Sequence, residues 1–481
     1  MIPDAQREVA SFLGALTGAA PIETHISLVY VGARDAFKLK KAVTRTFLDF
    51  APLAAREFFC RRELALNQPH APALYREVLP VTRAEDGSLQ LGGDGPVLDW
   101  VLRMAPLPAE DFLNVRALRE EGLSPALLDG LADAVAALHA AAPARQDVDS
   151  VARMRIVLAG NVDSCQAAGI DPWPATAALG ALLDRVAPAI AARAPVRVRR
   201  CHGDLHLGNL VLLEGVPTPF DALEFDEAMA LTDTGYDIAF PLMDLDLLAG
   251  RAAANRVMNR YLARTRDDGL LAPLPFWLGL RAMVRAHVEA KRGGDGGRYL
   301  AAAIAYAAPV PPRLVAVGGL QGTGKSTLAR ALAPGLGVAP GALHLRSDEV
   351  RKHLAGVSPE ARLPPEAYGA AASAAVHDRL FALARAALAA GHSVVLDAMF
   401  LDPALRAGAR AAAGPHPFTG LWLEAPLHLL EARVSARTGD ASDADVAVLR
   451  RAATADPGAL DWHRIDAAGD ATVQAQSRLA Q

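Results

Sequence analysis

The spacing of apolar positions changes character near residue 310. Beyond it, short apolar runs alternate with longer segments of helical period. "RLVAVGG", "ALHLRSD", "SVVLDAMF" and "FTGLWLEA" read as strands. Between them lie Ala/Leu/Arg-rich segments such as 366–390 and 427–437, which read as helices. Such alternation predicts an α/β fold, a parallel sheet with helices on both faces. Before residue 309 the order differs. "HISLVYVG" and "AFKLKKAV" read as a hairpin turning near "GARD", with a helix around "AAREFFCRRELALN". Strands near "REVLPVTRAEDG" and "PVLDWVLRMAP" follow, and the remainder is mainly helical, with short strands near 196–201, 210–213 and 218–221. That predicts an α+β region with a β-rich lobe at about 20–105 and an α-rich lobe at about 106–305.

The proline-rich "PVPPR" at 309–313 favours an extended connector, because proline fixes φ and removes a donor. "KRGGDGGRY" just before it reads as a loop. The expected organisation is therefore a domain over 1–305, a linker over 306–313 and a domain over 314–481.

Composition narrows the function. The formal net charge of −4 and the 5% aromatic content show neither bulk basicity nor a basic stripe interleaved with aromatics, which argues against nucleic acid as a partner. Cys60, Cys165 and Cys201 form no CxxC pair and fit a reducing compartment. The start "MIPDAQREVASFLG" lacks signal-peptide character, and no run of about 18 uninterrupted apolar residues occurs. The expectation is a cytoplasmic protein with no membrane partner.

Two stretches carry chemistry. "GLQGTGKS", from Gly319 to Ser326, has the G-x4-G-K-[ST] pattern between a strand and a helix. Backbone N–H groups of Gly319, Leu320, Gln321, Gly322, Thr323, Gly324 and the following Lys325, Ser326 and Thr327 would cradle phosphate oxygens at a helix N-terminus. Lys325 would reach the β- and γ-phosphates, and the Ser326 hydroxyl would bind Mg²⁺. "RSDEVRK" places Asp348 and Arg351 at the C-terminal edge of the sheet, where ligands of open α/β sheets bind. Asp348 is the candidate proton acceptor there and Arg351 a candidate anion ligand; the competing reading of Asp348 is a helix cap. Asp397, ending "VVLD", is placed to order Mg²⁺ and water. Arg433 and Arg437, four apart, either close over phosphate or form an ion-paired face.

"HGDLHLGN", residues 202–209, has the D-x4-N spacing of a kinase catalytic loop. Asp204 would take the acceptor's proton and Asn209 would bind Mg²⁺, with Asp221 of "PFDALEF" as the second metal ligand. Upstream, Lys38 and Lys40 share a strand face; either could reach phosphate and pair with Glu63, and Lys41 is expected to be solvated. His202 is expected to brace the loop, the competing reading being a metal site with His206.

The C-terminal pieces "GLQGTGKST", "RSDEVRK" and "VVLDAMF" resemble the P-loop small-molecule kinases, such as gluconate kinase and chloramphenicol phosphotransferase, and the zeta-toxin-like group. Residues 22–300 resemble the aminoglycoside phosphotransferase-like family of the protein-kinase superfamily, on "ETHISLVYVG", "CRRELALN", "CHGDLHLGNL" and "FDALEFDEA". Ala42 stands where that pattern has Pro and Ala230 where it has Arg. The resemblance implies a bilobal kinase-like fold fused to a P-loop NTPase fold. It implies two ATP-dependent (or GTP-dependent) phosphotransferases needing Mg²⁺ and small-molecule hydroxyl acceptors. The rivals are a P-loop ATPase switch coupled to a ligand-binding kinase-like domain, and a toxin-like nucleotide-sugar kinase. Glu224, Asp226, Asp244 and Asp246 would suit a cationic acceptor, unless they serve the fold.

Overall fold

The computed structural model describes residues 2–45, 48–436 and 441–480. The chain forms two compact units, Met1–Ser150 with Ala194–Pro241, and Val151–Arg193 with Leu242–Gln481. This grouping by packing passes through the region 1–305. The helices of 242–307 belong with the P-loop residues, to which helix Arg251–Thr265 is tied by side-chain hydrogen bonds.

The first unit is built on a six-stranded antiparallel sheet. Its spatial order is Ile22–Glu23, Ser27–Val31, Ala36–Lys40, Val97–Met104, Tyr75–Arg83, Leu89–Leu91. The expected hairpin is present, with Val29 opposite Lys38. Strand alternation turns Leu28, Tyr30, Phe37 and Leu39 to a core completed by Val9, Ala10 and Leu13 of helix Arg7–Thr17. Helix Leu53–Asn67 carries Glu63, and the antiparallel pair Leu210–Leu213 and Val216–Pro219 follows the catalytic-loop candidate.

In the second unit a five-stranded parallel sheet runs Leu343–Arg346, Val394–Asp397, Leu314–Gly319, Phe418–Glu424, His463–Asp466. Val315, Val317 and Val395 pack on Leu328, Leu332 and Ala475 of two helices. All six residues of Leu314–Gly319 are buried, as a strand covered on both faces requires. The last strand, His463–Asp466, lies outside the four read from the sequence.

Helix Trp173–Arg197 is long and apolar enough, by length and composition, to cross a membrane. It nevertheless carries Asp184 and Arg185, buries Leu179, Leu183 and Ile190, and ion-pairs Arg193 with Asp267 at 2.5 Å.

Candidate active sites

The catalytic-loop candidate is fixed mainly from its backbone. Asp237, fully buried, accepts hydrogen bonds from the N–H groups of His202 (3.2 Å) and Gly203 (3.0 Å). Gly203 has φ +87° and a Cβ there would meet Leu223 at 3.1 Å, so the turn needs glycine. The His202 Nε2 lies 2.8 Å from the carbonyl oxygen of Phe220, so it is the nitrogen that carries the proton. His202 thus braces the loop and does not join His206 in a metal site; the His206 ring lies 3.6 Å from Asp204. Asn209 donates its Nδ2 to the Asp204 carbonyl at 2.9 Å, which leaves its Oδ1 for a hard cation. Asp221 sits at φ +61°, a left-handed conformation that costs a non-glycine residue energy, held by its N–H donating to the Tyr75 hydroxyl at 2.9 Å.

Both candidate lysines reach Glu63. The Lys38 ammonium donates to Glu63 Oε1 at 2.7 Å and to Asp221 at 2.5 Å. That of Lys40 donates to Glu63 Oε2 at 2.7 Å and to Glu224. Lys38 is therefore the one beside the candidate metal ligand. Burial alone would lower the Lys38 ammonium, but the carboxylates of Asp221 and Glu63 outweigh it and hold it well above its ordinary value. Burial raises Asp221 in turn, and the Lys38 charge overcomes this to leave it below the usual carboxylate range. Lys41, expected in solvent, is buried at 4% exposure; its ammonium donates to Glu23 and to the Thr24 carbonyl, both at 2.6 Å.

The second site is a cavity of about 1350 Å³ lined by the glycine loop, Asp348, Arg351, Asp397 and Arg433. Helix Lys325–Leu332 begins directly after Gly324. Gly322 takes φ +82°, and a Cβ there would lie 2.7 Å from the Leu430 carbonyl oxygen, so no other residue fits. Lys325 donates to the Leu320 carbonyl at 2.9 Å, folding its side chain over the loop. The Ser326 hydroxyl donates to Asp397 Oδ2 at 2.5 Å, a hydroxyl–carboxylate pair of hard oxygen donors that fits Mg²⁺. Burial by itself would raise Asp397; the His344 ring and the charges of Arg346 and Lys325 reverse this and hold it far below the usual range. Asp348 moves the other way. Burial raises its carboxyl, and neighbouring Arg346 offsets this only in part.

The remaining site residues divide. Asp348 is inside helix Ser347–Leu354, whose cap is Arg346 with no side-chain cap bond, so the capping alternative fails. Arg351 is built into the wall, donating to the Ala367 carbonyl at 2.7 Å with its guanidinium 4.8 Å from the Tyr368 ring centre. Arg433 binds carbonyls rather than carboxylates, Ala467 at 3.0 Å and Gly322 of the loop at 3.4 Å. Arg437 lies outside the described residues. Arg346, His344, Tyr368 and Asp443 were not singled out from the sequence. Arg346 and His344 precede "SD" on alternate strand positions, which was the available signal. The acidic residues serve the fold. Glu224 pairs with Lys40, Asp226 caps helix Glu227–Ala230, Asp244 lies 3.7 Å from Arg285, and Asp246 binds Arg251 and Tyr306.

Residues 32–274 match the phosphotransferase enzyme family (APH). The chain belongs to this family. Residues 314–455 match an AAA domain, so an APH-type domain and a P-loop domain follow one another in one chain. An uncharacterized protein of Mycobacterium tuberculosis is 30% identical over 479 residues, covering 93% of this chain and 92% of that protein. A gluconokinase from Sinorhizobium meliloti 1021 is 23% identical, covering 36% of this chain and 94% of its own, with a TM-score of 0.25. A choline kinase from Cryptosporidium parvum Iowa II is 10% identical, covering 60% and 87%, with a TM-score of 0.39. The phosphotransferase match thus covers the N-terminal part of this APH-family chain, and the AAA match covers the part that holds the glycine loop.

Proposed function

We propose that the protein is a bifunctional ATP-dependent phosphotransferase whose two sites each phosphorylate a hydroxyl of a small molecule. The observation that supports this is a duplicated chemical kit on unrelated frameworks. One site groups Lys38 with Asp221, Asn209 and Asp204; the other groups Lys325 with Ser326, Asp397 and Asp348.

Asn209 and Asp221 would hold Mg²⁺ in the first site, Ser326 and Asp397 in the second. Bound Mg²⁺–ATP supplies the phosphoryl group and neutralises part of its charge. In the first site Asp204 orients the acceptor hydroxyl and takes its proton, while Lys38, kept charged by its carboxylates, binds phosphate. In the second, the glycine-loop N–H groups and Lys325 bind phosphate, Arg433 backs the loop, and Asp348 accepts the proton. The raised Asp348 carboxyl makes it a stronger base than an ordinary aspartate. Glu224, Asp226, Asp244 and Asp246 have partners within the fold, which favours the structural reading of these acids over selection of a cationic acceptor.

Calorimetric titration with ATP and Mg²⁺ tests the reading. Two nucleotides per chain are expected, Lys38→Met and Lys325→Ala each losing a different one. One nucleotide per chain, unaffected by Lys38→Met, would contradict it.

A further inference from the structure

The strand Leu343–Arg346 is the edge of the parallel sheet. Its inner side pairs with Val394–Asp397, which leaves alternate N–H and C=O groups facing outward. An open edge of this kind is normally covered or blunted. Here two asparagines one turn apart on helix Arg251–Thr265 do so. Asn259 accepts the His344 N–H at 2.7 Å through its Oδ1 and donates its Nδ2 to the Ala342 carbonyl at 3.2 Å. Asn255 donates to the same carbonyl at 3.0 Å. Around them Arg260 and Arg264 both ion-pair with Glu360, at 2.9 and 2.8 Å, and His353 meets the Ala263 carbonyl at 2.6 Å.

His344 is thereby fixed at its backbone, and its ring points to the phosphate site. Its Nε2 lies 3.4 Å from Asp397 Oδ2, and both side chains are about 6% exposed. Nε2 faces a carboxylate oxygen, an acceptor, so it is the ring nitrogen that donates. Ser326 Oγ donates to that same oxygen, and Arg346 Nε stands 3.6 Å from it. The imidazole, the hydroxyl and the guanidinium thus converge on Oδ2. Oδ1 accepts no hydrogen bond among the described residues and stays available to a hard cation or its water. Outer-shell hydrogen bonds of this type orient a metal-binding carboxylate.

We propose that Asn259 and His344 are positioning residues for the P-loop site, a relay by which a helix of the APH-matched region holds Asp397 in its Mg²⁺-binding orientation. This rests on the reading of Ser326 and Asp397 as the Mg²⁺ pair. It makes residues 314–481 dependent on helix Arg251–Thr265 for a complete site.

The test uses the full chain with Lys38→Met and Asp204→Ala together, so that nucleotide binding and ATP turnover both report the P-loop half. Two quantities are measured against Mg²⁺ concentration, ATP turnover and the binding of a fluorescent ATP analogue; the thermal midpoint is read alongside. His344→Leu and Asn259→Leu are expected to raise the half-saturating Mg²⁺ roughly tenfold in both. His344→Gln, which keeps an N–H donor, is expected to stay near the parent. If the two leucine variants lower only the thermal midpoint and leave the Mg²⁺ requirement unchanged, the relay is refuted and the contacts are merely structural. If His344→Leu does not fold, Asn259→Leu carries the same comparison. Lys325→Ala separates the two levels. Should it leave nucleotide binding and turnover intact, the phosphate site itself is misread and the relay falls with it; should it abolish them while the leucine variants are silent, only the relay falls.

Discussion

Replacing Lys40 with Met strands a buried carboxylate. In the native protein Glu63 keeps Lys38 as a second partner, but the Glu224 side chain, 5% exposed, has Lys40 as its ion-pair partner. Breaking one side of a buried pair costs about 3–5 kcal/mol. Protonation sets a ceiling on that cost. Burial already raises Glu224 from its ordinary 4.5, with Lys40 holding it back. Without Lys40 the carboxyl takes up a proton on folding at pH 7. Against an ordinary value of 4.5 that costs about 3.4 kcal/mol, at about 1.36 kcal/mol per pH unit. At pH 5.5 the same uptake costs about 1.4 kcal/mol. The sign follows from proton counting. Between 4.5 and its raised folded value, the native variant binds one more proton than the unfolded chain, so stability falls as pH rises. Lys40→Met is therefore expected to recover about 2 kcal/mol between pH 7 and 5.5, a steeper recovery than in wild type, where Lys40 holds Glu224 back. Lys40→Met/Glu224→Gln loses that extra slope and regains most of the stability. Hydrogen exchange of the strand Ala36–Lys40 and the helix Leu53–Asn67 reads the first unit alone. A Lys40→Met variant within about 1 kcal/mol of wild type, with no added pH slope, would refute the reasoning.

Other outcomes follow from the same geometry. Lys38→Met removes the ammonium between Glu63 and Asp221 and is expected to lower N-terminal phosphotransfer by about 10²–10³, measured as initial rates with the second site silenced by Lys325→Ala. Burial raises Asp348 and Arg346 pulls it down, so Arg346→Gln should move the acid limb of P-loop turnover to higher pH. A limb that stays in place or moves down assigns the proton to another group. Burial pushes the Cys60 thiol up to about 12, so mass spectrometry after iodoacetamide at pH 8 should find it unmodified in the folded protein and alkylated in urea.

The parts of the sites that were readable from sequence are local. The strand, glycine loop and helix around Lys325 are contiguous, and the spacing from Asp204 to Asn209 is set within one turn. Lys38 and Lys40 could not be ranked because a period of two gives them one face, and both indeed reach Glu63. What separates them is tertiary, Asp221 for one and Glu224 for the other. Lys41 looked solvated because it lies on the opposite face; the carbonyl of Thr24 and the Glu23 carboxylate meet it there. Strand His463–Asp466 was missed because three of its four residues are exposed and polar, with only Ile465 buried. The boundary at 309–313 was read from proline content, which reports local stiffness. The docking of Asn255 and Asn259 onto an edge strand more than 80 residues away leaves no mark in local composition.

The central claim is that both sites transfer phosphate to small molecules. It is tested by incubating a cell-metabolite extract with ATP, Mg²⁺ and wild-type, Asp204→Ala or Lys325→Ala protein, then comparing phosphorylated species by mass spectrometry. The account predicts at least two new phosphorylated species, one lost with Asp204→Ala and a different one lost with Lys325→Ala. ATP consumed without any phosphorylated product, and stopped by Lys325→Ala alone, would contradict it and identify a P-loop ATPase switch instead.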